Sequence, residues 1–236
     1  MIIDNNKITL SKRLKKIASY IPVCKSFADI GTDHGYLAIY AIQEKLAKKV
    51  IASDISKKPL NQAKKQIRNY SLENAIETRL GPGLNLIEID EVEGVVIAGM
   101  GGSNIYNILE NDLKKSRLFN FLVLQPQNNS NYVREWLSKN GYEITKEGLV
   151  KENNIIYQII LAKPGKSKKY KDIELDFGLI SNIENKILLE ELIKDKINKY
   201  EKILLEMNNS ENNDIINKRD MFIKEVNVMK SYLSDL

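Results

Sequence analysis

With 236 residues, 43% of them hydrophobic and 28% charged, the chain has the composition of a soluble globular protein, forming one large domain or one medium domain with a small appendage. Its single cysteine, Cys24, excludes an internal disulfide, and one histidine beside one cysteine argues against a structural metal. No run of about eighteen apolar residues suggests a membrane span, and the net charge of +5 suits an anionic partner but is also common among lysine-rich proteins.

The first residues, MIIDNNKITLSKRL, lack the charged-then-apolar order of a secretory signal, so a cytoplasmic location is expected. Over 9–21, Leu10, Leu14, Ile17, Ala18 and Ile21 recur at helical spacing, which predicts an amphipathic helix. Strands are then expected over 26–30, 49–53, 75–80, 94–98 and 121–124, and helices over 35–46, 57–70, 104–114 and 132–139. Apolar strands alternating with helices predict a parallel sheet covered on both faces. The last two strands, over 142–150 and 155–162, flank Asn153-Asn154 and read as an antiparallel hairpin whose turn tolerates positive φ. A doubly wound α/β sheet ending in such a hairpin is the Rossmann-like arrangement of class I methyltransferases, whereas plain dinucleotide folds continue in parallel.

At Lys163 the pattern gives way to KPGKSKKYKD, a polar, basic linker. Beyond it Ile180, Ile183, Ile187, Ile193, Ile197 and Leu204 belong to a long helical stripe, NNSENN over 208–213 breaks it, and Phe222, Val226, Met229 and Leu233 resume it. Two long helices joined by a short polar loop predict a C-terminal α-helical hairpin, coiled-coil-like and antiparallel.

If 27–30 is the first strand, Gly31 to Gly35 is the turn into the first helix of the sheet, where such folds place their ligand. The dinucleotide spacing G-x-G-x-x-G would need glycine at Asp33 and Tyr36. Asp33 would repel a pyrophosphate. S-adenosylmethionine carries a sulfonium and an ammonium, so Asp29 and Asp33 attract it instead. Asp54, ending IASD, stands where an acidic residue holds two ribose hydroxyls. Each aspartate alone reads equally as a helix cap or turn residue; the ordered set points to a nucleoside ligand. His34 can act as a base, hydrogen-bond the substrate or brace the loop.

The segments LSKRL (10–14), ADIGTDHGYL (28–37), ASDI (52–55), LGPGL (80–84), VVIAGMGG (95–102), LQPQNN (124–129) and REWLSKNGYEI (134–144) closely resemble the bacterial tRNA adenine-N1 methyltransferase family known as TrmK. The resemblance covers about residues 8 to 162, and family members also carry a C-terminal helical hairpin. It implies methyl transfer from S-adenosylmethionine to N1 of adenine 22 in tRNA. It further implies a cofactor site lined by Asp29, Gly31, Thr32, Asp33, His34 and Gly35, with Asp54 and Ile55 at the ribose. Ala98, Gly99, Met100, Gly101 and Gly102 would form the floor beside the methyl group. Gly81, Pro82 and Gly83 are expected at the cofactor too, but the family commonly has Gly-Asp-Gly there, and Pro82 cannot supply that aspartate's contact to the adenine amino group, which bears on cofactor affinity or on reliance on main-chain contacts. The expected division is a methyltransferase domain over 1–163, then linker and helical hairpin over 164–236.

Methyl transfer needs alignment of donor and acceptor more than it needs a base, because adenine N1 already offers a lone pair at neutral pH. Asp33 and carbonyls around Gly99 and Met100 are candidates to stabilise charge growing on the ring. Met100 can present a soft surface to a flat base, or sit in the core of a tight turn. Asp33, His34 and Met100 are therefore the candidate catalytic residues. An adenine paired in duplex must be exposed before it reacts, which calls for extra grip on the RNA. Lys12, Arg13, Lys15 and Lys16 in the first helix, and Lys166, Lys168, Lys169 and Lys171 in the linker, are candidates for phosphates or simply a solvated face. Gln125, Asn128 and Asn129 are candidates for the flipped base, with Tyr132 or Tyr157 to stack on it. A nicotinamide-dependent dehydrogenase and a non-catalytic RNA-binding protein that kept the fold are the alternatives. A monomer is expected.

Overall fold

The computed structural model describes residues 7–166, 168–207 and 213–236. Five parallel strands, β1 (Cys24–Ile30), β2 (Ala47–Asp54), β3 (Ile76–Leu80), β4 (Gly94–Met100) and β5 (Phe121–Pro126), join an antiparallel pair, β6 (Tyr142–Glu152) and β7 (Ile155–Pro164). The sheet order is β3-β2-β1-β4-β5-β7-β6. Strand order therefore reverses between β1 and β4, and in such sheets the crevice beyond the carboxyl ends of the reversing strands is the ligand position. The turn from β6 to β7 places Asn153 and Asn154 at φ 50° and 62°, as the paired asparagines predict.

Two apolar layers hold the sheet. On one face α1 (Lys12–Ala18), α2 (Tyr36–Gln43) and α3 (Lys57–Asn69) bury Ile17, Leu37 and Ile67 against Phe27, Val50 and Val96. On the other, α4 (Gly102–Asn111) and α6 (Ser130–Lys139) bury Ile105, Leu109, Val133 and Trp136 against Ala28, Val95 and Leu124.

Several elements differ from the sequence expectation, each for a local reason. The first helix is shorter than 9–21: Ser11 caps it by accepting from the Leu14 amide at 3.3 Å, and it stops at Ala18, while Tyr20 and Ile21 are buried beyond its end. The helix expected over 35–46 ends at Gln43, because Lys45 adopts φ 58° and turns the chain into β2. The helix expected over 104–114 splits at Asp112, whose ψ of 40° separates α4 from the short α5 (Leu113–Ser116).

The C-terminal part departs most. A six-residue helix, α7 (Asp172–Phe177), follows the basic segment, and Ile180 lies in a single 3-10 turn, Ile180–Asn182. Ile183 bridges Glu147 on β6, so neither isoleucine belongs to the long helix, which is α8 (Lys186–Met207). It packs antiparallel to α9 (Asn213–Ser234), with the Tyr200 and Phe222 rings 4.7 Å apart and Lys186 Nζ 3.2 Å from the Leu236 carbonyl. Most of the expected break over 208–213 lies outside the described residues. Leu189, Ile193, Ile197, Val226 and Met229 form a third apolar cluster that reaches Leu149 on β6. The docking is fixed by a buried ion pair: Arg134 donates to Glu147 at 2.7 Å and to the Leu175 carbonyl at 2.8 Å. Glu147 in turn accepts from the Leu179 amide at 3.1 Å.

Candidate active site

At the end of β1 the chain makes the turn that the glycine pattern announces. Gly31 (φ 77°) and Thr32 donate their amides to the Ser53 carbonyl at 2.9 Å, which ties the turn to β2. Asp33 sits at φ 52°, a left-handed conformation that aspartate tolerates better than most residues. Its amide donates to Asp54 Oδ2 at 3.3 Å, and the Ser56 amide donates to Asp54 Oδ1 at 2.7 Å. The Asp54 carboxylate is thus braced, while each oxygen keeps a second lone pair for a hydroxyl. Asp29 lies beneath, only 4% exposed, and its Oδ2 accepts from Thr32 Oγ1 at 2.7 Å. Burial pushes the Asp29 carboxyl up to about 6, against the lowering effect of that hydrogen bond.

The opposite wall is the end of β4, where the register with β5 shifts between Ala98 and Met100. Gly99 takes φ 77° and donates its amide to Gln125 Oε1 at 3.2 Å. The same oxygen accepts from Arg13 Nη1 at 2.8 Å, and the Arg13 guanidinium lies 5.5 Å over the Tyr157 ring. The Arg13 amide is held by Glu152 at 3.2 Å. Met100 Cε would lie 2.3 Å from a Cβ placed on Gly31, so the two walls approach closely only because residue 31 has no side chain.

Between these walls is a cleft of about 380 Å³ lined by Arg13, Asp29, Gly31, Thr32, Asp33 and His34, and by Asp54, Ala98, Gly99 and Met100. Leu14, Tyr36, Leu37 and Gln127 complete the lining. His34 stacks on Tyr36 at 5.3 Å, and its Nε2 is 3.6 Å from Asp33 Oδ2. The loop-bracing reading accounts for both contacts. Three carboxylates and one guanidinium facing one cleft match a zwitterionic, sulfonium-bearing donor and oppose a pyrophosphate. A roomier groove between α7, α8 and α9 has its deepest cation, Lys196, already paired with Asp176 at 2.7 Å.

Other candidate residues stand apart from the cleft. Gly35 starts α2, where an added Cβ would meet Ala63 Cβ at 3.2 Å, so it serves helix packing. A Cβ on Gly102 would lie 2.0 Å from the Asn129 carbonyl oxygen, and one on Gly101 would lie 3.1 Å from Asn128 Oδ1. These two glycines let the start of α4 press on the β5–α6 loop. Ile55 is 71% exposed, and Gly81, Pro82 and Gly83 do not line the cleft; Gly81 reaches it only by donating its amide to the Asp54 carbonyl at 2.9 Å. Gln125 requires correction as a base contact: it is 0% exposed, and its amide nitrogen donates to the Pro126 carbonyl at 2.9 Å. Arg13 likewise faces the cleft rather than an outer phosphate path. Lys16 ion-pairs with Glu184 at 2.5 Å, while Lys12, Lys15, Asn128, Asn129, Lys168 and Lys169 are exposed. Gln127, missed by sequence reasoning, lines the cleft, and its amide donates to the Met100 carbonyl at 2.8 Å. Its place in LQPQNN was the available signal.

Among the described residues no cluster of three or more His, Cys, Asp or Glu is arranged to hold a metal, and no helix is long and apolar enough to cross a membrane. Residues 10–160 match a methyltransferase domain family. The chain is 38% identical over 176 residues to the tRNA (adenine(22)-N(1))-methyltransferase of Bacillus subtilis (strain 168), an alignment covering 74% of each protein. The crystal structure of the B. subtilis m1A22 tRNA methyltransferase TrmK superposes with a TM-score of 0.88 at 28% identity, over 96% of this chain and 100% of that one. M. capricolum TrmK, solved with its natural cofactor product S-adenosyl-homocysteine, gives 0.84 at 31% identity, over 96% and 99%.

Proposed function

The chain belongs to the bacterial tRNA adenine-N1 methyltransferase family, and from that premise we propose that it methylates N1 of adenine 22 in tRNA, using S-adenosylmethionine in the cleft between β1 and β4. The observation that carries the reading is the charge of that cleft: Asp29, Asp33 and Asp54 converge on a glycine turn where a dinucleotide fold would present bare amides.

S-adenosylmethionine, when bound, supplies a methyl group on a positively charged sulfur, activated for in-line displacement. This chain's residues hold, orient and screen. Asp54, braced by two amides, takes the ribose hydroxyls. Asp29 and Asp33 take the cationic end, and Arg13, held over Tyr157 and against Gln125, takes the carboxylate. Gln125 also fixes the Gly99 amide, which sets where the Gly99–Met100 bulge stands. Met100 and Tyr36 offer apolar surface to the adenine and keep water from it. No residue has to remove a proton from N1. Asp33, at the mouth of the cleft, favours the positive charge that the base acquires.

Leu189, Ile193, Ile197, Val226 and Met229 of α8 and α9 pack on each other and on β6, while Ile187 of the expected stripe and Leu205 stay exposed. The packed part of the hairpin supports a monomer, and a tRNA substrate supports a cytoplasmic location. The test is incubation with unmodified tRNA and methyl-labelled donor, followed by mapping of the modified nucleotide. Label at position 22 is expected; label elsewhere, or none, overturns the reading.

A further inference from the structure

Several lysines elsewhere on this surface pair with a carboxylate, as in Lys146–Glu184, Lys194–Glu190, Lys196–Asp176 and Lys230–Glu201. Helix α3 does the opposite. Lys57, Lys58, Lys64, Lys65 and Arg68 are all exposed, and none makes an ion pair among the described residues. The helix has no acidic residue. At 3.6 residues per turn the five cations and Asn61 fall within an arc of about 120°, opposite the buried Leu60, Ala63 and Ile67. Asn61, Lys64, Lys65 and Arg68 line a shallow depression on that arc.

Helix stability does not account for the pattern. Lys57 and Lys58 occupy the first turn, where the helix dipole disfavours cations, and Ser56 makes no side-chain cap. That turn begins directly after Asp54, at the mouth of the cleft, and the basic arc runs from there for thirteen residues, about 20 Å. Lys12 and Lys15 on α1 are exposed on the same face of the sheet, since Ile17 of α1 and Ile67 of α3 share one apolar layer.

Resting on the tRNA reading above, we infer that the outer face of α3 is a track for the RNA sugar–phosphate backbone, delivering the acceptor to the cleft. This path adds α3 to the first-helix and linker lysines named from the sequence as phosphate candidates. Unpaired cations in an uninterrupted stripe cost no ion pair when they meet phosphates, whereas the paired lysines would each have to break one.

The test compares two sets with equal charge change in the full-length chain: Lys64→Gln, Lys65→Gln, Arg68→Gln on α3, and Lys25→Gln, Lys48→Gln, Lys49→Gln near the amino ends of β1 and β2, at the opposite edge of the sheet. For the α3 set, the KM for an unmodified tRNA transcript should rise roughly tenfold at low salt, and the log–log salt slope should fall by about 3. Its kcat and donor affinity should stay within about twofold, and the control set should change little. Equal effects from both sets, or no change from the α3 set while the wild type methylates tRNA, would overturn the inference. A wild type that binds the donor yet leaves tRNA unmethylated overturns the functional reading and this one with it. Should the α3 set melt early, Lys57→Gln with Lys58→Gln gives an independent measurement: the same selective rise in KM supports the track, and its absence overturns it.

Discussion

The side-chain oxygen of Gln125 accepts from Arg13 Nη1 at 2.8 Å and from the Gly99 amide at 3.2 Å. One buried amide therefore joins the first helix, the fourth strand and the fifth strand at the point where donor and acceptor must meet. Gln125→Leu fills the same space but leaves a guanidinium and an amide without their acceptor, at a cost of about 1–3 kcal/mol. Expected are a lowered melting temperature and a kcat loss of roughly 10-fold or more, read by thermal melts and single-turnover methylation. A variant with wild-type kcat would show that the Gly99–Met100 bulge needs no such support.

Gly31 and Gly102 should fail in different ways. Gly31→Ala strains a φ of 77° and directs a methyl at the flexible end of Met100, in the cleft. Its stability loss should be modest, about 1–2 kcal/mol, and its loss of donor affinity large. Gly102→Ala directs a methyl at backbone, the Asn129 carbonyl, which cannot step aside. That variant should be the less stable of the two, and calorimetry with donor titration separates them.

Asp29 makes stability and donor binding respond oppositely to pH. Its carboxyl rises from 3.8 to about 6 on folding, so the native state holds the proton more tightly than the unfolded chain does. The stabilisation is full below pH 3.8 and is lost as pH rises through about 6. Asp29→Asn should therefore gain stability over the wild type at pH 7 to 8, on the order of 2–3 kcal/mol, with the gain vanishing near pH 4. Donor affinity should fall in the wild type below about pH 6, where the carboxylate is protonated, and should be weak and pH-independent in Asp29→Asn. Melts and donor titrations across that range check both signs.

Asp33→Asn keeps a residue that accepts φ 52° and removes only the charge. Turnover should drop by roughly 100-fold or more. His34→Ala should cost far less, because His34 touches Asp33 and Tyr36 rather than the floor of the cleft. Comparable losses in the two variants, measured at saturating donor, would give His34 a direct part in the chemistry.

The Arg134–Glu147 pair lies at 1% and 2% side-chain exposure. Removing one partner leaves a buried charge, at a cost of about 3–5 kcal/mol. Arg134→Met should therefore be strongly destabilised and should free the 172–183 segment, seen as faster amide exchange at Leu179 and Ile183. Unchanged exchange there would mean that apolar contacts alone dock the helical hairpin.

The glycine turn and its carboxylates were legible because their spacing is local: Gly31, Asp33, Gly35 and Asp54 act within a strand, a turn and the next strand. The asparagine hairpin was legible for the same reason. Helix α7 was not, since six residues carry too little periodicity to separate DIELDF from linker, and Ile180 and Ile183 match the α8 stripe in number though not in space. Gln125 read as an exposed polar group because nothing nearby in the chain reports its burial; its partner Arg13 is 112 positions away.

Alternating apolar strands and helices, a sheet closing in an antiparallel pair, and an acidic turn in place of a phosphate-binding one are properties of neighbouring residues, and the order of amino acids alone settled them. Which glycines admit a ligand and which admit another stretch of backbone, which arginine enters the cleft, and which lysines are left without a carboxylate depend on segments far apart in the chain. Those were decided only by packing, because close approach and charge pairing are set by distance in space.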